Sequence, residues 1–400
     1  MEYFSGWNEG EPYVPLFREI IADFEAENPG IKVNATWNGR ESLTKLRPMI
    51  LAGTIPDITD HGADELFGAL VKEGLTQPLN DYLDTEAIGQ AMKWKDTFLP
   101  GQLELYQKEG EFHTIPFWLD TTGFYYNGKL FAEQGVQPAN TWSEFMALCD
   151  TLKNNGVAPL VADGGIDFYN AYYFSHFVQR VLGTGALHAA AEDKTGARWD
   201  DPGYLQAAQM VRELLDKECF IDGFEGYQWP AGQVDFVQGA GAMLLCSTWI
   251  PAETKDSAPA GFEYRFFPPP LVEAGKGKIT DAEIFQWAWV VLKDAKHKDE
   301  AVKFLKFWLQ PKYVDRMATE YNAIMALRGA AVPPLNADAT AFLGQATDTF
   351  RLYDGVSADF PEYWKTVFLP LDDQLLFGKL TPEEFIAEVK AESIEYWETH

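Results

Sequence analysis

Apolar residues recur at helical spacing over residues 13–27. Leu16, Ile20, Ile21 and Phe24 share one face, and Asn28-Pro29-Gly30 ends the pattern. The period then falls to two across residues 31–37, which predicts a half-buried strand. A second helix is predicted over residues 41–51, ended by Gly53, and Pro56-Asp57-Ile58-Thr59 opens another short strand. Strands that alternate with helices predict an open, largely parallel sheet, which receives ligands off the carboxyl ends of its strands.

The same style continues downstream. Thr141-Trp142-Ser143-Glu144 is a capping box opening a helix with Phe145, Leu148 and Leu152 inward. Asp201-Pro202 starts another helix through Leu205, Val211, Leu214 and Leu215. The apolar run at residues 241–246 predicts a buried strand. From Asp299 a helix carries Ala301, Phe304, Leu305 and Trp308 on its stripe, and Thr381-Pro382-Glu383-Glu384 caps a final helix. Consecutive prolines at 268–270 fix an extended path and are the best hinge candidate.

At 400 residues the chain is too long for one core, so two lobes are expected. Its 46% hydrophobic and 23% charged residues describe a packed globular protein, and no apolar run of bilayer length occurs. A formal charge of −28 makes nucleic acid and anionic membrane surfaces poor partners. Cys149, Cys219 and Cys246 contain no Cys-x-x-Cys pair; they read as buried apolar residues, with room for one bridge at most. Six scattered His residues predict no metal site, and no cofactor motif is present. Aromatic residues reach 14%, and aromatic faces suit the C–H patches of pyranose rings.

Five stretches carry a resemblance: residues 24–33 (FEAENPGIKV), 51–58 (LAGTIPDI), 115–127 (IPFWLDTTGFYYN) continuing to 141–145, 236–243 (FVQGAGAM) ahead of Trp249, and 300–308 (EAVKFLKFW). In order and spacing they resemble the family-1 extracellular solute-binding proteins of ABC transporters, the group that includes maltose-binding proteins. The resemblance implies a type II periplasmic-binding-protein-like α/β fold, two open-sheet lobes joined by a three-strand hinge. Lobe 1 would hold residues 1–117 and 270–325, and lobe 2 residues 118–269 and 326–400. It further implies a monomer outside the cytoplasm, in the periplasm or at the cell surface as a lipoprotein, that closes on its cargo and delivers it to ABC permease subunits. The family's leader and lipid-anchor Cys are not seen in the opening Met1-Glu2-Tyr3-Phe4-Ser5-Gly6-Trp7.

For ligand contacts, the resemblance places a carboxylate at Asp120 and a ring-stacking aromatic at Trp249, with Tyr169 offered from the loop and helix start at 163–173. Asp60 is the second expected acceptor of sugar hydroxyls, because carboxylates take such bonds in bidentate fashion. Trp7, then Trp37, Asn38 and Arg40, then Asp60 and His61 follow the first three predicted strands, where an open sheet aims its loops. His61 reads equally as a hydrogen-bonded loop residue, and Arg40 as a surface ion pair. Trp229 is a second wall or a lobe cover; Trp287 shares a strand face with Trp289; Arg328 reaches ligand or braces the third crossing. Trp94, Trp142, Trp199, Trp308 and Trp397 read as structural.

Two rivals are weighed against a sugar-binding importer subunit. A glycoside hydrolase needs two flanking carboxyls, and no nucleophile or acid/base motif is recognisable here. A polyamine or other small polar solute in the same fold is harder to separate, since acids with aromatics also make a cation box.

Overall fold

The computed structural model describes residues 1–400. Eleven strands follow one another along the chain: β1 Glu2–Ser5, β2 Asn34–Trp37, β3 Ile58–Gly62, β4 Thr114–Asp120, β5 Thr122–Asn127, β6 Ala158–Val161, β7 Gly241–Ser247, β8 Tyr264–Phe267, β9 Asp281–Val291, β10 Ile324–Met325 and β11 Asp348–Arg351. Two compact units result. The first comprises Met1–Asp120 and Phe285–Pro334, the second Thr121–Ile284 and Leu335–His400.

The divisions therefore fall after residues 120, 284 and 334, rather than at 117, 269 and 325. β4 keeps pairing as far as Asp120, opposite Phe285. The Pro-rich stretch stays with the second unit because Arg180 holds it: Nε donates to Pro269 O at 3.0 Å, and Nη1 donates to Lys278 O.

In the first unit the sheet order is β10-β4-β9-β3-β1-β2. Only β2, β1 and β3 run parallel; β3–β9, β9–β4 and β4–β10 are antiparallel. The sheet is thus mixed rather than largely parallel, because β9 enters between β3 and β4 from far along the chain. The helix Val14–Glu27 buries Leu16, Ile20 and Phe24 as its pattern predicts, but turns Phe17 inward and leaves Ile21 half-buried. It meets the helix Lys298–Trp308 through Phe24–Phe304 at 5.1 Å and Phe17–Trp308 at 4.6 Å. β2 begins at Asn34, later than its alternation suggests, and β3 runs on to Gly62.

In the second unit the sheet order is β6-β7-β5-β8, and β11 pairs in parallel with Asp281–Ile284 of β9. β7 is buried along its whole length, as an apolar run without alternation requires. The helix Asp167–Leu182 lies in the middle of the core, where Phe174 meets Phe385 of the last helix at 4.9 Å. Both capping boxes form: Thr141 with Glu144, and Thr381 with Glu384. Asp201 caps Pro202–Asp216 by accepting from Gly203 N at 2.9 Å. Of the tryptophans read as structural, Trp94, Trp199 and Trp308 are among the largest fully buried side chains. Trp142 donates to Glu213, and Trp397 to Ala191 O.

Arg180 is 1% exposed, and desolvation pulls its pKa down to about 10 against the nearby charge of Asp281. Truncation would strand buried carbonyls and leave Asp281 without its cation. Arg180→Ala is expected to destabilise the second unit by roughly 3–5 kcal/mol in urea unfolding. A loss below about 1 kcal/mol would show that this guanidinium does not hold the crossing in place.

Candidate functional site

Each unit carries one cluster of the sequence-predicted residues. In the first unit, Trp7 leaves β1 and lies 4.3 Å, centroid to centroid, from Trp287 of β9. Trp118 of β4 stacks with Trp7 at 5.7 Å and 18°, and Tyr13 meets Trp118 edge-on at 4.8 Å. The Arg40 guanidinium covers both Trp7 and Trp287, at 4.8 and 4.7 Å. It is also clamped by Glu11 at 2.9 Å through both nitrogens and donates to Gly6 O at 2.7 Å. Arg40 therefore follows the ion-pair reading.

Asp60 does not follow β3 but lies inside it, wholly buried. Trp287 Nε1 donates to its Oδ2 at 2.7 Å, and Gly6 N approaches Oδ1 at 3.3 Å. Desolvation raises its pKa, while hydrogen bonds from Trp287, Tyr3 and Ser5 oppose the shift. Gly6 is needed here, since a Cβ would stand 2.7 Å from Asp60 O. A carboxylate enclosed in this way orients an indole; it is not an open acceptor.

His61 also lies within β3. Its Nε2 bonds with Arg40 O at 3.0 Å, and its ring is stacked 5.4 Å from Trp287. Burial opposes its charge, but Glu65, the Arg40 carbonyl and Asp60 outweigh that and leave its pKa above the ordinary value. Trp37, half-buried, ends β2 under the Arg18 guanidinium at 5.5 Å. Asn38 Nδ2 folds back on Thr36 O and Oγ1, both at 3.0 Å. Asp120 is buried at the end of β4. Arg328 is exposed, its backbone N donating to Thr97 O at 2.7 Å. Sequence reasoning passed over Trp118 and Tyr13; period-two counting along β4 places Trp118 on the same face as Asp120.

In the second unit Tyr169, in the first turn of Asp167–Leu182, lies nearly parallel to Trp249 just past β7, at 6.3 Å and 26°. Tyr172 continues the stack behind Tyr169 at 6.0 Å. Trp229 is 51% exposed, and its Nε1 donates to Glu253 Oε2 at 3.3 Å. Glu253 belongs to the short helix Ile250–Thr254, one turn beyond Trp249. Its side chain reaches solvent, yet the surrounding protein raises its pKa through desolvation.

Behind these groups lie polar atoms without partners. Trp249 Nε1 is near the Tyr169 hydroxyl and the Cys246 thiol, and it is buried without a hydrogen-bond partner. Gln233, fully buried, spends Nε2 on Tyr169 Oη at 3.4 Å and leaves Oε1 unpaired. Asp163 accepts from Gly232 N through Oδ1, while Oδ2 is buried and unpaired. Desolvation pushes Asp163 up to about 6. Gly232 is required for that approach, as a Cβ there would sit 2.8 Å from Asp163 Oδ1. Asp163, Gln233 and Glu253 were not singled out from sequence. Asp163 stands just past β6 and Glu253 follows Trp249 at i+4, and these two positions are the signals that could have found them.

The arrangement offers flat rings with one donor and two acceptors beside them, and nothing that resembles a nucleophile with its base. No group of three His, Cys, Asp or Glu side chains is placed to hold a metal ion, and no helix is long and apolar enough to cross a membrane.

Comparison with known proteins agrees with this chemistry. The sequence model of the family described as bacterial extracellular solute-binding protein matches residues 10–315. A protein of Brucella abortus, named as a binding protein, is 30% identical over 310 residues, which is 74% of this chain and 69% of that one. The multiple sugar-binding protein of Streptococcus mutans is 22% identical, covering 82% of this chain and 75% of its own. Among solved structures, a chitin oligosaccharide binding protein superposes with TM-score 0.79 at 22% identity, covering 100% of this chain and 99% of that one. That likeness establishes the fold, an α/β architecture of the type II periplasmic-binding-protein kind with two sheet-bearing lobes. The chain belongs to the bacterial extracellular solute-binding proteins, a family of transport receptors rather than of enzymes.

Proposed function

We propose that this chain binds a carbohydrate, with Trp249, Tyr169 and Trp229 as the stacking surfaces and Asp163, Gln233 and Glu253 as the hydroxyl-binding groups. The observation that carries the reading is the unpaired Trp249 Nε1–H beside the unpaired Gln233 Oε1 and Asp163 Oδ2. Each sugar hydroxyl accepts and also donates one proton, so two hydroxyls can satisfy all three atoms; an ammonium only donates and leaves the indole N–H unmet. This favours a sugar over a polyamine despite the two acids and the aromatic rings. The relatives named for sugars point the same way, and the family's extracellular character supports delivery of the cargo to ABC permease subunits. The first unit, taken by itself, offers Asp120 and the Trp7, Trp118 and Trp287 rings as further candidates, with Trp37, Asn38, His61 and Arg328 ranked after them. Asp60 and Arg40 act by holding the Trp287 and Trp7 indoles in place.

Trp249→Ala, Tyr169→Ala and Trp229→Ala should each weaken carbohydrate binding by about 1–3 kcal/mol, roughly 5- to 150-fold, in calorimetric titration. Unchanged affinity in folded variants would remove these rings from the site. The ligand class is tested by thermal shift with mono- and oligosaccharides beside linear polyamines. A rise in unfolding temperature with an oligosaccharide supports the proposal, and a rise confined to polyamines contradicts it.

Asp163 also sets a pH dependence. Its folded pKa of about 6 lies above the unfolded carboxyl value of about 3.9. The folded state therefore holds a proton that the unfolded chain releases between those values. The cost of burying the anion is full above pH about 6 and is relieved as pH falls toward 4, by about 2–3 kcal/mol. Asp163→Asn should lack this gain when unfolding temperatures at pH 7 and pH 5 are compared with those of the parent chain. Identical pH profiles for the two proteins would show that Asp163 is not held as described.

A further inference from the structure

Cys149 and Cys219 lie far apart in sequence, and the fold brings them together. Cys149 sits on the inward face of the helix Trp142–Asn154, beside Phe145, Leu148 and Leu152. Cys219 follows the helix Pro202–Asp216, whose end is a tight reversal: Cys219 N donates to Leu214 O at 2.9 Å and Glu218 N to Leu215 O at 2.8 Å. This is the paired bonding of a left-handed helix stop, with Glu218 as the left-handed residue at φ 49°. Such a stop normally takes glycine or asparagine. Here a glutamate accepts the strained conformation, and the next residue, Cys219, turns into the core.

The two segments are laced on both sides of the cysteines. Lys217 Nζ donates to Asp150 Oδ2 at 2.8 Å, and Lys153 Nζ donates to Lys217 O and to Glu218 Oε2, the latter at 3.1 Å. Within this frame each thiol is the largest influence on the other's proton affinity, and both residues are 0% exposed. The third cysteine, Cys246, is buried separately in β7. All three are free thiols in this structure.

We propose that Cys149 and Cys219 are the two halves of a structural disulfide that closes when the chain folds in an oxidising compartment, leaving Cys246 as the single free thiol. Two buried thiols that act on each other, on segments tied together from both flanks, need little rearrangement to bond. Extracellular proteins fold where such bonds persist, and a link across a loop of about 70 residues removes much of the unfolded chain's freedom. In the step, two S–H bonds break and one S–S bond forms. The two electrons and two protons pass to the disulfide of a thiol–disulfide oxidant, which leaves as two thiols. Because both sulfurs are inaccessible in the folded core, the exchange takes place before the 217–219 turn packs under its helix.

The test is refolding of the full chain in a glutathione buffer at oxidising ratio, followed by denaturation, thiol alkylation and peptide mapping without reductant. The expected result is one alkylated cysteine, Cys246, and one linked pair of peptides containing Cys149 and Cys219. Reductant should lower the unfolding temperature on the order of 5–10 °C, and the Cys149→Ala/Cys219→Ala double variant should show no such response. Three alkylated cysteines, a bridge that includes Cys246, or an equal response to reductant in the double variant would each overturn the proposal. The outcome is independent of carbohydrate binding, so the two readings fail separately.

Discussion

A polar atom taken out of water must find a partner or cost the fold on the order of 1–3 kcal/mol, and each cluster leaves part of that demand unmet: in the first, the Trp7 and Trp118 indole N–H groups are buried without a partner. In the first unit the demand at Asp60 is met internally, by Trp287 Nε1 and Gly6 N, and Arg40 is held by Glu11. In the second unit, Trp249 Nε1, Gln233 Oε1 and Asp163 Oδ2 stay unmet beside an open ring stack. On the proposed reading, these are the three atoms that a bound carbohydrate would satisfy. What those atoms would accept, one donor and two acceptors beside flat apolar faces, is the chemistry of a sugar.

The scaffold explains why these atoms can be held apart from one another. Trp249 emerges from a fully buried strand, Tyr169 from a helix fixed in the middle of the core, and Gln233 from a helix whose start is tied to Asp163. Within this frame Gln233 Nε2 reaches Tyr169 Oη while its Oε1 stays unpaired. The first unit uses its rigidity differently: β9 brings Trp287 onto β3, and the carboxylate buried there fixes the plane of the indole.

Features decided by neighbouring residues were legible in the sequence. Both capping boxes, the Val14–Glu27 helix and the buried β7 run formed where local spacing placed them. Features decided by distant partners were not. Ile58-Thr59 was readable as the start of a strand, but its continuation through Asp60 and His61 depends on pairing with β9, and that pairing turned an expected loop acceptor into a core carboxylate. The sheet became mixed for the same reason. The resemblance led to Trp249 and Tyr169, whereas Asp163, Gln233 and Glu253 come from three separate segments, and no motif joins them. Cys149 and Cys219 likewise share no spacing signal; a helix stop at Glu218 turns Cys219 into the core that also holds Cys149.

The central claim is that the Trp249 indole N–H waits for a hydroxyl, and indole-selective proton–nitrogen NMR observes that atom directly. With a carbohydrate that raises the unfolding temperature at saturation, the Trp249 Nε1–H resonance should shift and its exchange with water should slow, while Trp287, already bonded to Asp60, stays where it was. An unmoved Trp249 resonance at saturation, with its exchange unchanged, would contradict the account.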